Sequence, residues 1–122
     1  MAMLSFNAPG EREKSLWLVK KETNPNHSQW YIDRFKAMEA EGNDMAGESR
    51  MVNALASRGA KILDAGSGPG RVGKQLHALG HRVTGVDIDP ELIEEARRVC
   101  PDATWITADP VSYTHLRAHE TK

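Results

Sequence analysis

The feature that most constrains the fold of this 122-residue chain is a run of alternating glycines at Gly66, Gly68 and Gly70. The stretch Lys61-Ile62-Leu63-Asp64 before the run predicts a short strand, and the apolar period over 72–79 after it predicts a helix. Glycines at such a turn let the backbone approach a ligand, and the helix start points free N–H groups at it. The pattern predicts a ligand-binding strand–loop–helix unit, which nucleoside binders and dinucleotide enzymes share.

The same alternation of elements continues along the chain. A second predicted strand, 81–86, leads to Asp87, a helix follows over 90–99, and a third strand over 104–107 leads to Asp109. Strands and helices that alternate with short connections predict a parallel, doubly wound α/β sheet. Ligands of such sheets lie beyond the carboxyl ends of the strands, where the glycine loop and both carboxylates should meet.

The spacing of the glycines separates two classes of ligand. A dinucleotide fingerprint, Gly-x-Gly-x-x-Gly, would place its third glycine where this chain has Arg71. Asp64, two residues before Gly66, is a poor neighbour for a pyrophosphate and a good one for a cation. Asp87 follows Gly66 by 21 residues and is placed to accept hydrogen bonds from both hydroxyls of a ribose. Together these residues favour a nucleoside with a positively charged tail.

Two further residues suit the base of such a nucleoside. Ile88 can lie against a purine, although a core position would suit it equally well. Asp109 can accept a hydrogen bond from an exocyclic amine, or it can be a simple turn residue after a strand. Asp89 is expected only to cap the helix that follows it. A purine, a ribose and a cationic, amino-acid-like tail together describe S-adenosylmethionine.

Residues 60–109 resemble the class I S-adenosylmethionine-dependent methyltransferases. The resemblance rests on three motifs in order: ILDAGSGPG at 62–70, VTGVDID at 83–89 and TAD at 107–109. It implies a Rossmann-like fold, S-adenosyl-L-methionine as the cofactor, and direct displacement of the methyl group without a metal. The cofactor-binding residues that it implies are Asp64, Ala65, Gly66, Ser67, Gly68 and Gly70 for the methionine part, Asp87 for the ribose, and Ile88 and Asp109 for adenine. The catalytic residues stay undetermined.

We expect three segments. Residues 1–58 form a helical segment that covers the cofactor, and its most polar stretch, 44–50, could reach the site. Residues 59–109 form the first half of the Rossmann-like domain. Residues 110–122 have no helical or clear strand pattern and resemble a peptide from read-through of sequencing adapters, so we expect a non-native tail on a truncated methyltransferase. The strand at 61–64 would then be an exposed apolar edge, and the chain would be inactive and prone to aggregate.

Within the helical segment, two helices are expected. Ser28 would cap the first of them. The second would run over 47–57, with Met51, Val52 and Leu55 facing inward.

Composition narrows the function further. The 16 basic and 17 acidic residues give a net charge of −1, which argues against nucleic acid as a partner and favours a small-molecule substrate. The longest apolar run, 16–19, is too short to span a membrane. The single cysteine excludes an internal disulfide framework and a Cys-rich metal site, and we expect a cytoplasmic protein. An NAD(P)-dependent oxidoreductase and a non-catalytic nucleoside-binding fragment are the alternatives; the oligomeric state is open.

Overall fold

The computed structural model describes residues 2–5 and 15–120, with side chains over 15–116. The strands are β1 (Ala2–Ser5), β2 (Lys61–Ala65), β3 (Arg82–Asp87) and β4 (Thr104–Thr107). The helices are α1 (Leu16–Thr23), α2 (His27–Ala40), α3 (Gly47–Leu55), α4 (Arg71–Ala78), α5 (Pro90–Val99) and α6 (Pro110–Glu120).

The four strands form one parallel sheet in the order β1-β2-β3-β4. Asp64 of β2 lies opposite Gly85 of β3, and Asp87 lies opposite Thr107 of β4. The carboxyl ends of three neighbouring strands therefore meet at one edge of the sheet. This topology confirms the prediction of a partial Rossmann-like α/β fold.

Trp105 of the edge strand β4 packs its ring between β3 and helix α4. Its ring is 4% exposed, and its Nε1 donates a hydrogen bond of 2.7 Å to the carbonyl of Cys100. A Cβ at Gly85 would lie 2.3 Å from this ring, and a Cβ at Gly73 would lie 2.6 Å from it. Both positions must therefore be glycine for β3 and α4 to pack on the ring. The glycine loop lies next to this closely packed part of the core.

β1 is a correction to the sequence analysis, which expected residues 1–58 to be helical. Ala2 pairs with Ile62 and Ser5 with Ala65, so β2 has a neighbour on both sides and is not an exposed edge. An open edge leaves the N–H and C=O groups of a strand without partners. A short extended segment such as β1 can form hydrogen bonds with them. Four residues are too few to show the alternation that reveals a strand.

α6 is a second correction, because no helical pattern was recognised over 110–122. Asp109 Oδ1 accepts a hydrogen bond of 2.9 Å from the Val111 amide, and Pro110 has the φ that a first helical position requires. This local capping starts a helix that the weak apolar period does not reveal. The non-native origin of residues 110–122 stays a prediction.

α3 ends at Leu55, and of the three residues expected to face inward, Val52 packs against the core as predicted. Met51 is 65% exposed and Leu55 is 83% exposed, so neither faces inward. Ser49 is the buried residue instead, and its hydroxyl donates a hydrogen bond of 2.8 Å to Gln75 of α4. A polar contact therefore orients this helix.

Within the described residues, no helix has the length and apolar character that a membrane crossing requires. The same residues include no cluster of three or more His, Cys, Asp or Glu side chains arranged to hold a metal ion.

Candidate functional site

The glycine loop is anchored to the neighbouring strand. The amides of Gly66 and Ser67 both donate to the carbonyl of Val86, at 2.7 and 3.0 Å. Gly70 starts α4 with a φ of +87°, and a Cβ there would lie 3.0 Å from the Cβ of Ala96. The loop is thus held close to β3 and α5, with its backbone facing the sheet edge.

Two cavities open along this loop, and they share Tyr31, Gly66 and Gly68. The first measures about 300 Å³ and is lined additionally by Ser15, Trp17, Asp87, Ile88, Leu92 and Pro110. The second measures about 290 Å³ and is lined additionally by Phe35, Glu48, Asp64, Ser67, Pro69, Arg71 and Val72. A single elongated ligand that bridges Tyr31 and the two glycines can occupy both.

Asp87 is held in a fixed orientation at the first cavity. Its Oδ2 accepts from the Gly68 amide and its Oδ1 from the Asp89 amide, each at 2.9 Å. Burial raises its pKa, and these backbone hydrogen bonds oppose that effect. Ile88 lines the cavity beside it. A carboxylate next to an apolar side chain suits a ribose beside a base.

Asp64 gives the second cavity its electrostatic character. Its side chain is 3% exposed, and burial raises its pKa to about 7, with Glu48 and Asp87 acting in the same direction and Arg71 against it. A cation placed beside it would relieve this cost, whereas a pyrophosphate would add to it. The second cavity therefore suits the positively charged end of a ligand.

Ser67 gives an independent sign that a ligand belongs here. Its Oγ is buried and has no hydrogen-bond partner among the described residues. Buried hydroxyls nearly always have a partner in a functional state, so a polar ligand in the second cavity would satisfy it. The residues present thus fit an amino-acid-like tail.

Three predicted residues line neither of these two cavities. Ala65 is buried at the end of β2, and Gly70 serves the close approach of α4 to α5. Asp109 caps α6, and its neighbour Pro110 lines the first cavity instead. Its predicted contact with adenine stays a prediction.

The sequence analysis missed the residues that the N-terminal helices contribute. Trp17 of α1 and Tyr31 of α2 line the first cavity, with their rings 5.2 Å apart in an edge-to-face arrangement. The sequence of α2 carries no signal for this role, because one helix has the same apolar period whether it covers a core or a ligand.

The polar stretch 44–50 reaches the site through one residue. Glu48 lines the second cavity and forms an ion pair with Arg71 at 3.1 Å, while the Met45 carbonyl accepts from Arg71 at 2.7 Å. Asp44 and Arg50 are both more than half exposed and pair with each other instead. Arg71 therefore connects α3 to the glycine loop.

The fold and the two cavities define a nucleoside-binding α/β domain. Residues 62–120 match the family model described as a methyltransferase domain. With the motifs and the sheet described above, this match over 59 of the 122 residues supports a class I S-adenosylmethionine-dependent methyltransferase domain with S-adenosyl-L-methionine as its cofactor.

Known proteins of this family are similar to part of the chain. A TehB-like SAM-dependent methyltransferase from Corynebacterium glutamicum is 50% identical with a TM-score of 0.66, over 68% of this chain and 46% of that one. The ubiquinone biosynthesis O-methyltransferase of Xanthomonas campestris pv. campestris is 32% identical over 89 residues, 63% of this chain and 37% of the relative. That of Xanthomonas axonopodis pv. citri is 31% identical over 84 residues. The chain spans less than half the length of these relatives.

Proposed function

We propose that this chain is the cofactor-binding half of an enzyme that transfers a methyl group from S-adenosyl-L-methionine to a small-molecule acceptor. The observation that carries the proposal is the pair of cavities joined at Tyr31, Gly66 and Gly68. Asp87 serves the first cavity and Asp64 the second, which matches the neutral and the cationic end of the cofactor.

Each end of the cofactor has its residues. When bound, S-adenosyl-L-methionine supplies a methyl group on a positively charged sulfur, which an acceptor takes by direct displacement. Asp87 would hold the ribose hydroxyls and Ile88 would lie against the base. Asp64 and Ser67 would hold the amino-acid tail. Tyr31 would exclude water where the cavities meet, so the residues described here align and shield the reacting groups.

The relatives' names support methylation of a small molecule. Two of them are called ubiquinone biosynthesis O-methyltransferases. The net charge of −1 does not favour a nucleic acid as the acceptor. With the full-length enzyme, transfer of a labelled methyl group to small phenols and acids, but not to RNA or protein, is the expected result; labelling of RNA or protein would contradict it.

Binding tests the cofactor assignment directly. Calorimetric titration of the chain should show S-adenosylhomocysteine binding and no NADH binding, because the buried carboxylate of Asp64 disfavours a pyrophosphate. Asp87→Ala should abolish binding while the circular dichroism spectrum stays unchanged. Asp102→Ala, which removes an exposed carboxylate outside both cavities, is the matched control. Binding of NADH, or unchanged affinity in Asp87→Ala, would contradict the assignment.

A further inference from the structure

The carboxylate of Asp89 joins three helices at one buried point. It is 0% exposed. One hydrogen bond, from the Glu91 amide at 2.9 Å, is the cap of α5. Three others come from the N-terminal helices: Trp17 Nε1 at 2.5 Å and Lys21 Nζ at 2.9 Å, both of α1, and the hydroxyl of Ser28 in α2. Capping explains only the first of these bonds.

Ser28 itself was expected to cap α2. That helix begins at His27 instead, with Asn26 before it and no side-chain cap. Ser28 is fully buried and gives its hydroxyl hydrogen to Asp89. Its presence in the first turn of α2 thus serves a contact between helices.

The helices held by Asp89 are the helices that cover the first cavity. Trp17 both donates to Asp89 and lines that cavity, and Tyr31 lines it from α2, nearly one turn after Ser28. The Asp89 amide in turn donates to Asp87, at 2.9 Å. Asp89, which holds the covering helices, is therefore hydrogen-bonded to Asp87, the carboxylate that we assign to the ribose.

Besides these hydrogen bonds, α1 is held by the Trp17 ring, which packs against His27 and Tyr31, and by an ion pair of Lys21 with Glu91 at 3.0 Å. It is eight residues long and has no buried side chain. A helix of that length is not stable alone in water. Burial by itself would raise the pKa of Asp89, but the hydrogen bonds from Lys21, Ser28 and Trp17 outweigh it and lower the pKa. Opening the cover would break three hydrogen bonds to a charged group, which are stronger than those between neutral groups.

We propose that Asp89 is a positioning residue that fastens α1 and α2 over the first cavity and thereby slows release of the cofactor. This rests on the proposed function, since the cavity must bind the adenosine part. The carboxylate does not touch the ligand. It positions Trp17 directly, and it positions Tyr31 through Ser28, which lies in the same helix.

The test removes the donors and leaves the cavity and the cap of α5 intact. Lys21→Met combined with Ser28→Ala removes two hydrogen bonds to Asp89, and neither residue lines either cavity. Asp89→Asn keeps a good N-cap residue and removes the charge. Asp44→Asn is the matched control, because Asp44 also accepts from the amide two residues on and pairs with a cation, but at the exposed surface.

Two quantities are measured on the full chain: the dissociation rate of S-adenosylhomocysteine by stopped-flow Trp fluorescence, and hydrogen exchange of residues 16–40 with and without it. We expect dissociation to be about tenfold faster in both Asp89-contact variants, the scale set by losing a hydrogen bond to a charged group. Ligand-dependent protection of α1 and α2 should be lost. Asp44→Asn should match the wild type in both measurements.

The outcomes separate this proposal from the previous one. A wild-type chain that binds no S-adenosylhomocysteine overturns the proposed function, and this inference with it. Suppose instead that the wild-type chain binds S-adenosylhomocysteine. If the variants then release the ligand and exchange amide hydrogens at the wild-type rates, and only their melting temperature is lower, this inference alone is overturned. If Asp89→Asn does not fold, the Lys21→Met, Ser28→Ala variant decides.

Discussion

Asp64 and Asp87 end neighbouring strands, yet their surroundings give them different chemistry. Asp64 is buried beside other acids, so its ionisation responds to any charge that enters the second cavity. Asp87 accepts two backbone hydrogen bonds that fix its direction. One carboxylate is thus suited to sense a cation and the other to bind hydroxyls.

The raised pKa of Asp64 predicts that cofactor binding releases a proton. Burial raises the pKa to about 7 from an ordinary value of 3.8, and a bound cation would lower it again. Affinity for S-adenosyl-L-methionine should therefore rise with pH through about 7. Calorimetry in buffers of different ionisation enthalpy measures the proton released, which Asp64→Asn should eliminate. Equal release by that variant would contradict the assignment.

The same shift has a consequence for the free protein. The folded chain holds the Asp64 proton more tightly than the unfolded chain, so this contribution to stability is full at low pH. It is lost as pH rises from about 4 through about 7. Urea unfolding at several pH values should show a smaller pH dependence of the free energy of unfolding in Asp64→Asn over that window.

Gly85→Ala should destabilise the fold at one known contact. The added Cβ would lie 2.3 Å from the Trp105 ring, and overpacking of this kind costs about 1–3 kcal/mol. Gly47→Ala is the control, because a Cβ there meets nothing within 4 Å. Urea denaturation measures both variants. Equal midpoints would show that the ring moves freely, against the close packing described above.

At the scale of elements, β1 and α6 differ most from expectation. β1 is found only through its pairing with β2, and α6 through its cap at Asp109 and Pro110. Helices α4 and α5 were recognised because each has a clear apolar face, and α5 also has a start signal at Asp89 and Pro90. Pattern reasoning works where a helix has a clear apolar face. It fails where the apolar period is weak, as in α6, and where pairing with another strand decides, as in β1.

Removal of residues 1–5 tests the role of β1. The free edge of β2 would then expose unpaired backbone groups, which favours association with other chains. Size-exclusion chromatography should show more oligomer or aggregate than in the full chain, with a lower urea midpoint. An unchanged monomer of equal stability would show that β1 contributes nothing to protecting the edge.

At the scale of the whole molecule, the site joins segments that are far apart in the chain. Trp17 and Asp89 are separated by 72 positions and still form a direct hydrogen bond. The cavities are lined by α1, α2, the glycine loop and the ends of the strands. A ligand bound there should therefore stabilise the cover and the sheet as one unit.

Thermal unfolding measures that coupling. At S-adenosylhomocysteine concentrations about 100 times its Kd, the free energy of unfolding should rise by about 2.7 kcal/mol, and the melting temperature with it. The rise should appear in one transition, followed by both tryptophan fluorescence and circular dichroism. Two separate transitions, of which the ligand shifts one, would show that the cover and the sheet unfold independently. NADH at equal concentration should give no shift.

The small-molecule acceptor, the cytoplasmic location and the non-native origin of 110–122 stay predictions. They depend, respectively, on the identity of the acceptor, on the targeting of the protein in the cell and on the native DNA sequence, none of which is a contact within the fold.

The sequence alone determined the strand–glycine loop–helix unit, the carboxylates Asp64 and Asp87 and the class of cofactor, because these depend on spacing between residues close together in the chain. Only the tertiary structure decided that Tyr31 lines both cavities, that Asp89 holds two helices and that β1 pairs with β2. Those contacts join residues tens of positions apart. No local period or capping signal records which distant surface an apolar or charged side chain will meet.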